Sequence, residues 1–248
     1  DEGWDIASLG FDTPELDIPE AKDEDELPEP PAEPITKLGD MWQIGQHRIL
    51  CADSTDPSAF EKVISGGRIK IVFADPPYGI AYKAMRGGKD IANDGDANQA
   101  LSVTINAIAL AKQAEAFFAC CDWRSLSTMI EAFKTIGIEP KACIVWDKMS
   151  RVQNLDRYAK QHEFILYAGP YGGQKTQATD IWQHKRDFDP DHPTPKPISL
   201  VAQAIETSTN RAEIVYDPFA GSGSTLVAAA KTGRIARGIE LDPAYVDV

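Results

Sequence analysis

Cysteine is scarce. Cys51, Cys120, Cys121 and Cys143 are the four in 248 residues, and they form neither a CxxC pair nor a Cys/His set of zinc-site type. A disulfide framework and a zinc ribbon are therefore not expected, the thiols read as reduced, and no metal ligands are assigned. Long apolar runs are also missing. Nothing approaches the ~20 residues of a membrane-spanning helix, and no secretory leader is visible. Positive charge is in short supply, with 25 Lys+Arg against 38 Asp+Glu and a net charge of −13. That excludes a protein whose global field attracts nucleic acid. The deficit is local, because 14 of the acids and only two of the bases lie in residues 1–40. The rest is near neutral, so any contact with a polyanion must come from local basic clusters.

Composition divides the chain. Residues 18–34 (IPEAKDEDELPEPPAEP) are acidic, proline-rich and almost devoid of apolar side chains, which cannot bury enough surface to offset chain entropy. They read as a linker. Residues 1–17, with Trp4, Ile6, Leu9, Phe11 and Leu16, read as the tail of an upstream domain. A chain that opens on Asp1 reads as a piece of a longer protein, and its end at Val248 falls inside what reads as the start of a helix. Globular sequence starts near Ile35. From there a hairpin-like lead-in over 42–51 precedes alternating elements. Strands are predicted over 69–73, 116–120, 141–146, 163–168, 214–217 and 235–241. Helices are predicted over 57–64, 98–113, 123–136, 197–207 and 224–231. Residues 79–96 and 169–191 show no periodicity. Alternation of this kind predicts an α/β domain over 35–248, a mostly parallel sheet covered by helices on both faces.

Two segments carry chemistry. The first is IVYDPFAGSGSTLVAAAKTGRIARGIELD. An apolar strand ends at Asp217, Gly221 and Gly223 follow, Ser224 and Thr225 open an alanine-rich helix, and a second strand ends at Glu240, nineteen residues after Gly221. In a nucleotide-binding βαβ unit the glycines admit the ligand to the backbone, and the acid accepts from ribose hydroxyls. A dinucleotide pyrophosphate needs a third glycine three positions after Gly223, where Leu226 stands, and would be repelled by Asp217. An acid there suits the ammonium of an amino-acid moiety, so the loop favours S-adenosylmethionine over NAD.

The second is Asp75-Pro76-Pro77-Tyr78, directly after a buried strand. In open α/β sheets ligands bind at the carboxyl ends of strands. The prolines fix φ and remove two donors, leaving a rigid frame with a carboxylate, free carbonyls and an aromatic face. An exocyclic amino group on a flat ring matches that frame. Asp75 and the Pro76 carbonyl can accept its two N–H bonds, and Tyr78 can stack on the ring.

Taken together, DPPY and DPFAGSGST make residues 36–248 resemble the DNA amino-methyltransferases, which methylate adenine N6 or cytosine N4. DPPY precedes the glycine loop here, as in the circularly permuted β-class of that family. The resemblance implies a Rossmann-like S-adenosylmethionine-dependent methyltransferase fold. It implies cofactor contacts from Phe219, Ala220, Gly221, Gly223, Ser224, Thr225, Asp217 and Glu240. In HRILCADSTD, Asp53 would meet the adenine ring of the cofactor, although Ala52 replaces the family's glycine. HPTPKPISLV resembles the family's HPTxKP segment and adds His192, Thr194 and Lys196 at the methionine end. IVWDK and HEFILYA resemble sheet segments. The leader resembles the tail of a ParB-like domain fused ahead of phage and prophage methylases.

The implied activity is site-specific methylation of a flipped base in duplex DNA, with adenine N6 preferred and cytosine N4 the alternative. Asp first in DPPY is commoner among the adenine enzymes. Catalysis falls to Asp75, Pro76, Pro77 and Tyr78. A cytosine-C5 mechanism needs a nucleophilic Cys, usually after Pro, and no Pro-Cys pair exists. DNA contacts would come from Lys83, Arg86 and Lys89 in one loop and from Lys175, Lys185 and Arg186 in the target-recognition segment 169–191. A homodimer, a restriction endonuclease and an upstream ParB-like domain are the further partners the resemblance allows, in a bacterial or phage-infected cytoplasm. Three rivals stand beside this reading. A protein glutamine methylase carries Asn in place of Asp75 and has its glycine loop first. A catalytically silent DNA-binding module would have no use for intact Asp75, Tyr78, Asp217 and Glu240. A dehydrogenase would bind NAD.

Overall fold

The structure, a computed structural model, describes residues 33–78, 96–152, 158–170, 179–185 and 196–247. The two parts of the leader, 1–17 and 18–32, lie outside them, as do most of the two predicted loops.

Nine strands form one sheet in the order β1-β2-β9-β8-β3-β4-β6-β5-β7. They are β1 (Met41–Ile44), β2 (His47–Cys51), β3 (Ile69–Ala74), β4 (Ala116–Cys121), β5 (Ala142–Val152), β6 (Lys160–Ala168), β7 (Ile181–Gln183), β8 (Ile214–Asp217) and β9 (Ile235–Glu240). Strands β2, β9, β8, β3 and β4 run parallel, and β6 is antiparallel to both β4 and β5. The helices are α1 (Pro57–Ile64), α2 (Ala97–Leu110), α3 (Leu126–Thr135), α4 (Ile198–Ser208), α5 (Ser224–Thr232) and α6 (Pro243–Val246).

The strands read as near-continuous apolar runs because both faces are covered. On one face Phe60, Val63, Ile108, Met129 and Phe133 of α1–α3 pack on Val72, Phe117 and Tyr216. On the other, Leu200, Val201, Ala204 and Ile205 of α4 and Leu226, Ala228 and Ala229 of α5 pack on Ile71, Phe73 and Val215. Asp56 caps α1 by accepting from the Ser58 amide, Pro57 opens the helix, and Ser65 closes it in the left-handed region.

Chain direction reverses between β3 and β8. From β3 the chain passes through α2 to β4, whereas from β8 it passes through α5, on the opposite face, to β9. The carboxyl ends of β3 and β8 therefore flank a topological switch point, where open α/β sheets hold their ligands.

Four elements differ most from the sequence-based expectation. Strand β7 lies inside the segment expected to be irregular. It pairs with β5 through Ile181–Gln183, and Trp182 is buried against Phe118. Strand β5 continues past Trp146 to Val152, and β6 begins three residues earlier than expected, at Lys160. Helix α3 starts at Leu126 because Asp122 first organises a turn, accepting from the Arg124 amide while its carbonyl accepts from Ser125.

The body closes on itself at its ends. Asp247, just after α6, accepts from the backbone amides of Ile35 and Thr36 and from the Thr36 hydroxyl. Thr36 in turn accepts from the Trp42 indole at 2.8 Å.

Candidate active site

Along the carboxyl edge of the sheet, successive strands end in acids: Asp53 after β2, Glu240 of β9, Asp217 of β8, Asp75 after β3 and Asp122 after β4.

The glycine-loop side is built on β8 and β9. Asp217 is 3% exposed and accepts from the Phe219 amide at 2.9 Å and the Thr225 hydroxyl at 2.5 Å. Gly221 and Gly223 have φ of +53° and +88°, the left-handed region that side chains resist. The loop hangs from the sheet by the Ala220 amide on the Ile239 carbonyl at 2.9 Å. This needs Gly238 in β9, where a Cβ would come within 3.0 Å of the Ala220 methyl. Glu240 accepts from the Gly221 amide through Oε2 and from the Asp242 amide through Oε1, both at 2.8 Å. Two backbone bonds leave a carboxylate with further acceptor capacity. Asp53 stands just beyond Cys51, the register partner of Glu240, and is exposed, accepting from the Thr55 amide and hydroxyl at 2.8 Å each.

The electrostatics of this side are lopsided. Burial pushes the Asp217 carboxyl up to about 7 against the pull of its Thr225 and Phe219 bonds, and the charges of Asp75 and Glu240 push the same way. Burial also raises Glu240. Among the described residues no cation pairs with either acid.

The DPPY side is built on β3, β5, β6 and the entrance to α4. Tyr78 donates its hydroxyl to Asp75 Oδ1 at 2.8 Å. Lys196, just before α4, donates to both Asp75 oxygens at 2.7 Å and lies 3.2 Å from the Tyr78 hydroxyl. Its Nζ is 3.3 Å from Glu163 Oε2, and Lys148 bonds Glu163 Oε1. The ammonium of Lys148 sits 5.1 Å from the centre of the Trp146 ring, and that of Lys196 sits 5.6 Å from the Tyr78 ring and 5.9 Å from the Trp146 ring. Burial works against the charge on Lys196, but Asp75 and Glu163 outweigh it and hold the ammonium well above the usual lysine range. Burial opposes ionisation of Glu163 too, yet Lys196 and Lys148 bring it down to about 2. Burial and the adjoining Asp75 and Glu163 charges raise the Tyr78 phenol, so the hydroxyl keeps its proton as a donor.

The structure thus brings Asp75, Tyr78 and Lys196 together, with Asp217, Thr225, Gly221 and Glu240 on the neighbouring strands. Lys196, expected at the cofactor's methionine end, has its Nζ on Asp75. Lys185 is exposed just beyond β7. His192, Thr194, Lys83, Arg86, Lys89, Lys175 and Arg186 lie outside the described residues. Sequence reasoning missed Glu163 and Lys148. The signal was a charged residue set into an apolar strand, EFILYA after His162, and a second one after the IVWD of β5.

Residues 171–248, which contain the glycine loop and Glu240, match the family described as DNA methylase. YubD of Escherichia coli (strain K12), which carries the name of a methylase, is 29% identical over 182 residues, covering 73% of this chain and 79% of that protein. The DNA adenine methyltransferase YhdJ of the same strain is 33% identical over 141 residues, 50% of this chain and 48% of YhdJ. Over these stretches the chain is similar to the N6/N4 DNA methyltransferases. Its fold is theirs as well. The M1.HpyAVI–SAM complex superposes with a TM-score of 0.59 at 23% identity, covering 79% of this chain and 94% of that one. PvuII DNA methyltransferase, cytosine-N4-specific, superposes with a TM-score of 0.62 at 14% identity, covering 82% and 84%. The cofactor of this family is S-adenosylmethionine, and the glycine-loop side fits it. The buried acids there meet no cation among the described residues, and the space above Gly221 is open where a Cβ would project. No described helix is long and apolar enough to cross a membrane.

Proposed function

We propose that this chain methylates the N6 amino group of adenine in DNA, with Asp75 as the acceptor that orients the amino group and the Asp217–Glu240 loop as the cofactor cradle. One observation carries the reading. Asp75 and Asp217 end adjacent parallel strands on either side of the switch point, so a substrate amino group and a methyl donor held there come side by side.

Asp217, with Phe219, Ala220, Ser224 and Thr225 around the loop, would hold the amino-acid end. Glu240 would accept from the ribose hydroxyls, and Asp53, beyond the neighbouring strand, would meet the adenine ring. When bound, S-adenosylmethionine supplies an electrophilic sulfonium methyl. The chain's own task is to make a poor nucleophile competent. The amino lone pair of adenine is delocalised into the ring. Asp75 and the Pro76 carbonyl, each accepting one N–H, would draw the nitrogen toward tetrahedral geometry and localise that pair. Pro77 stiffens the frame, and Tyr78, tethered through its hydroxyl, offers its ring for stacking worth about 1–3 kcal/mol. Lys196 holds both Asp75 oxygens and stays charged itself, so positioning and electrostatics do the catalysis and no covalent enzyme intermediate is involved. A base reached from a duplex must first be flipped out. Lys185 stands at the same sheet edge for a phosphate contact, with Lys83, Arg86, Lys89, Lys175 and Arg186 proposed alongside it.

Adenine is favoured by Asp rather than Ser at position 75 and by the likeness to YhdJ. Cytosine N4 is the second reading, since the cytosine-N4-specific PvuII enzyme shares the fold. Labelled S-adenosylmethionine and mixed-sequence DNA, followed by mass spectrometry of the digested nucleosides, decides between them. N6-methyladenine is the expected product. N4-methylcytosine would change the base and keep the mechanism, and 5-methylcytosine would overturn both.

A further inference from the structure

We propose that Glu163 is a positioning residue: backed by Lys148, it holds Lys196 against Asp75 and so fixes the carboxylate that meets the substrate amino group. This rests on the role given to Asp75 above.

Four charged side chains alternate in sign from the sheet interior to the site: Lys148, Glu163, Lys196, Asp75. They come from four separate segments, β5, β6, the entrance to α4 and the end of β3. Side-chain exposure is 7% at Lys148, 21% at Glu163, 10% at Lys196 and 29% at Asp75, so the two ammonium groups are the more deeply buried partners and Asp75 is the most accessible member. Nothing in the fold requires this arrangement, because replacing a buried ion pair by packed apolar groups is often neutral or stabilising. A buried charge chain that ends on a carboxylate at a ligand edge calls for another explanation.

Geometry supplies it. Lys196 spans both oxygens of Asp75 at equal distances of 2.7 Å, which sets the plane of the carboxylate. An ammonium answering only to Asp75 would follow that side chain. Glu163 gives it a second ionic contact 3.3 Å away, through an Oε2 that is buried and makes no hydrogen bond among the described residues. Among the described residues the other groups facing Lys196 are Tyr78, Trp146 and Cys120, none of which offers it a negative charge while the phenol and thiol keep their protons. Without Glu163, Lys196 would lose one of its two described carboxylate partners while staying buried. Lys196 would then lose its proton more readily and release Asp75.

The test uses Glu163→Gln, which keeps shape and removes charge, with Lys148→Met and the double variant. In Glu163→Gln, kcat should fall roughly tenfold or more, as when a charged partner is removed from a buried site, while cofactor Kd and DNA KM stay within about twofold. The alkaline limb of the pH–rate profile should move to lower pH, and the Lys196 Nζ resonance, followed by nitrogen NMR, should titrate at lower pH than in the wild type. The double variant restores charge balance around the Lys196–Asp75 pair, so it should recover part of kcat. A packing role predicts that it would be worse than either single variant. Wild-type kcat in Glu163→Gln, an unmoved Lys196 titration, or additive loss in the double variant would each overturn the proposal. If Glu163→Gln does not fold, the charge-balanced double variant carries the comparison with Lys148→Met. If the wild type transfers no methyl group to DNA, the proposed activity fails, and the Lys196 titration still decides whether Glu163 sets its charge.

Discussion

The two sides of the switch point solve opposite electrostatic problems with the same side-chain type. On the DPPY side, Asp75 and Glu163 each meet a lysine, and the cluster is balanced by the chain itself. On the glycine-loop side, Asp217 and Glu240 are satisfied by backbone amides and a hydroxyl and meet no described cation. The consequence shows in their proton affinities, with Glu163 brought down to about 2 and Asp217 pushed up to about 7. One side is pre-organised for a neutral group that needs acceptors. The other is under-compensated and favours a ligand bearing positive charge.

If that division is right, substitutions on the two sides separate catalysis from cofactor binding. The largest effect is expected at Asp75. Asp75→Ala should lower methyl transfer by roughly two or more orders of magnitude, the scale of losing a key polar group at a reacting centre, with cofactor affinity changed no more than a few-fold. Transfer rates and calorimetry on the same preparation check it, and undiminished transfer would remove the role given to that carboxylate.

Glu240→Ala should do the reverse and weaken S-adenosylmethionine by about 1.5–3 kcal/mol, the usual worth of a hydrogen bond to a charged group. Unchanged affinity by calorimetry would detach Glu240 from the ribose.

A smaller, pH-resolved effect belongs to Asp217. Its folded pKa lies above its unfolded value, so its contribution to stability is full below the ordinary carboxyl range, declines as pH rises, and is gone above about 7. Melting temperature should therefore drift down over that window in the free protein, and less so in Asp217→Asn. Cofactor affinity should rise over the same window as the acid ionises toward a cationic ligand. Glu163 works in a separate range. Its folded pKa is depressed, so its stabilisation is present above the ordinary carboxyl range and is lost only as pH falls toward about 2. A flat Asp217 profile, in stability and in affinity, would mean the two sides do not differ as described.

The smallest effect is expected from the leader. Residues 1–34 read as a linker behind the tail of an upstream domain rather than as part of the catalytic body. A chain beginning at Ile35 should keep its turnover, and loss of activity with the fold intact would assign the leader a part in the site.

What the sequence discloses follows the length scale of each interaction. Strand β8, helix α5 and strand β9 were readable because Asp217, Gly221, Gly223 and Glu240 lie within 24 consecutive residues at spacings a βαβ turn requires. Helix α1 announces itself by Asp56 and Pro57 at its start. Strand β7 did not, since three residues carry no period, and it exists because Trp182 finds Phe118 and a partner strand far away in sequence. The lysine–carboxylate chain was invisible for the same reason. Lys196 meets Asp75 across 121 positions, and Glu163 meets Lys148 across a hairpin whose register no local pattern fixes. Lys196 could be placed at the site by its motif, but its partner could not.

The clasp at the ends of the body bears on how motif order can vary among proteins of this shape. Asp247 holds the amides of Ile35 and Thr36, so the first and last described turns of the body touch across 212 positions. Two segments that meet in this way can be joined there and the chain opened at another surface loop without moving a strand. DPPY before the glycine loop, or after it, would then be two ways of cutting one ring, and the acids along the sheet edge would keep their neighbours in either.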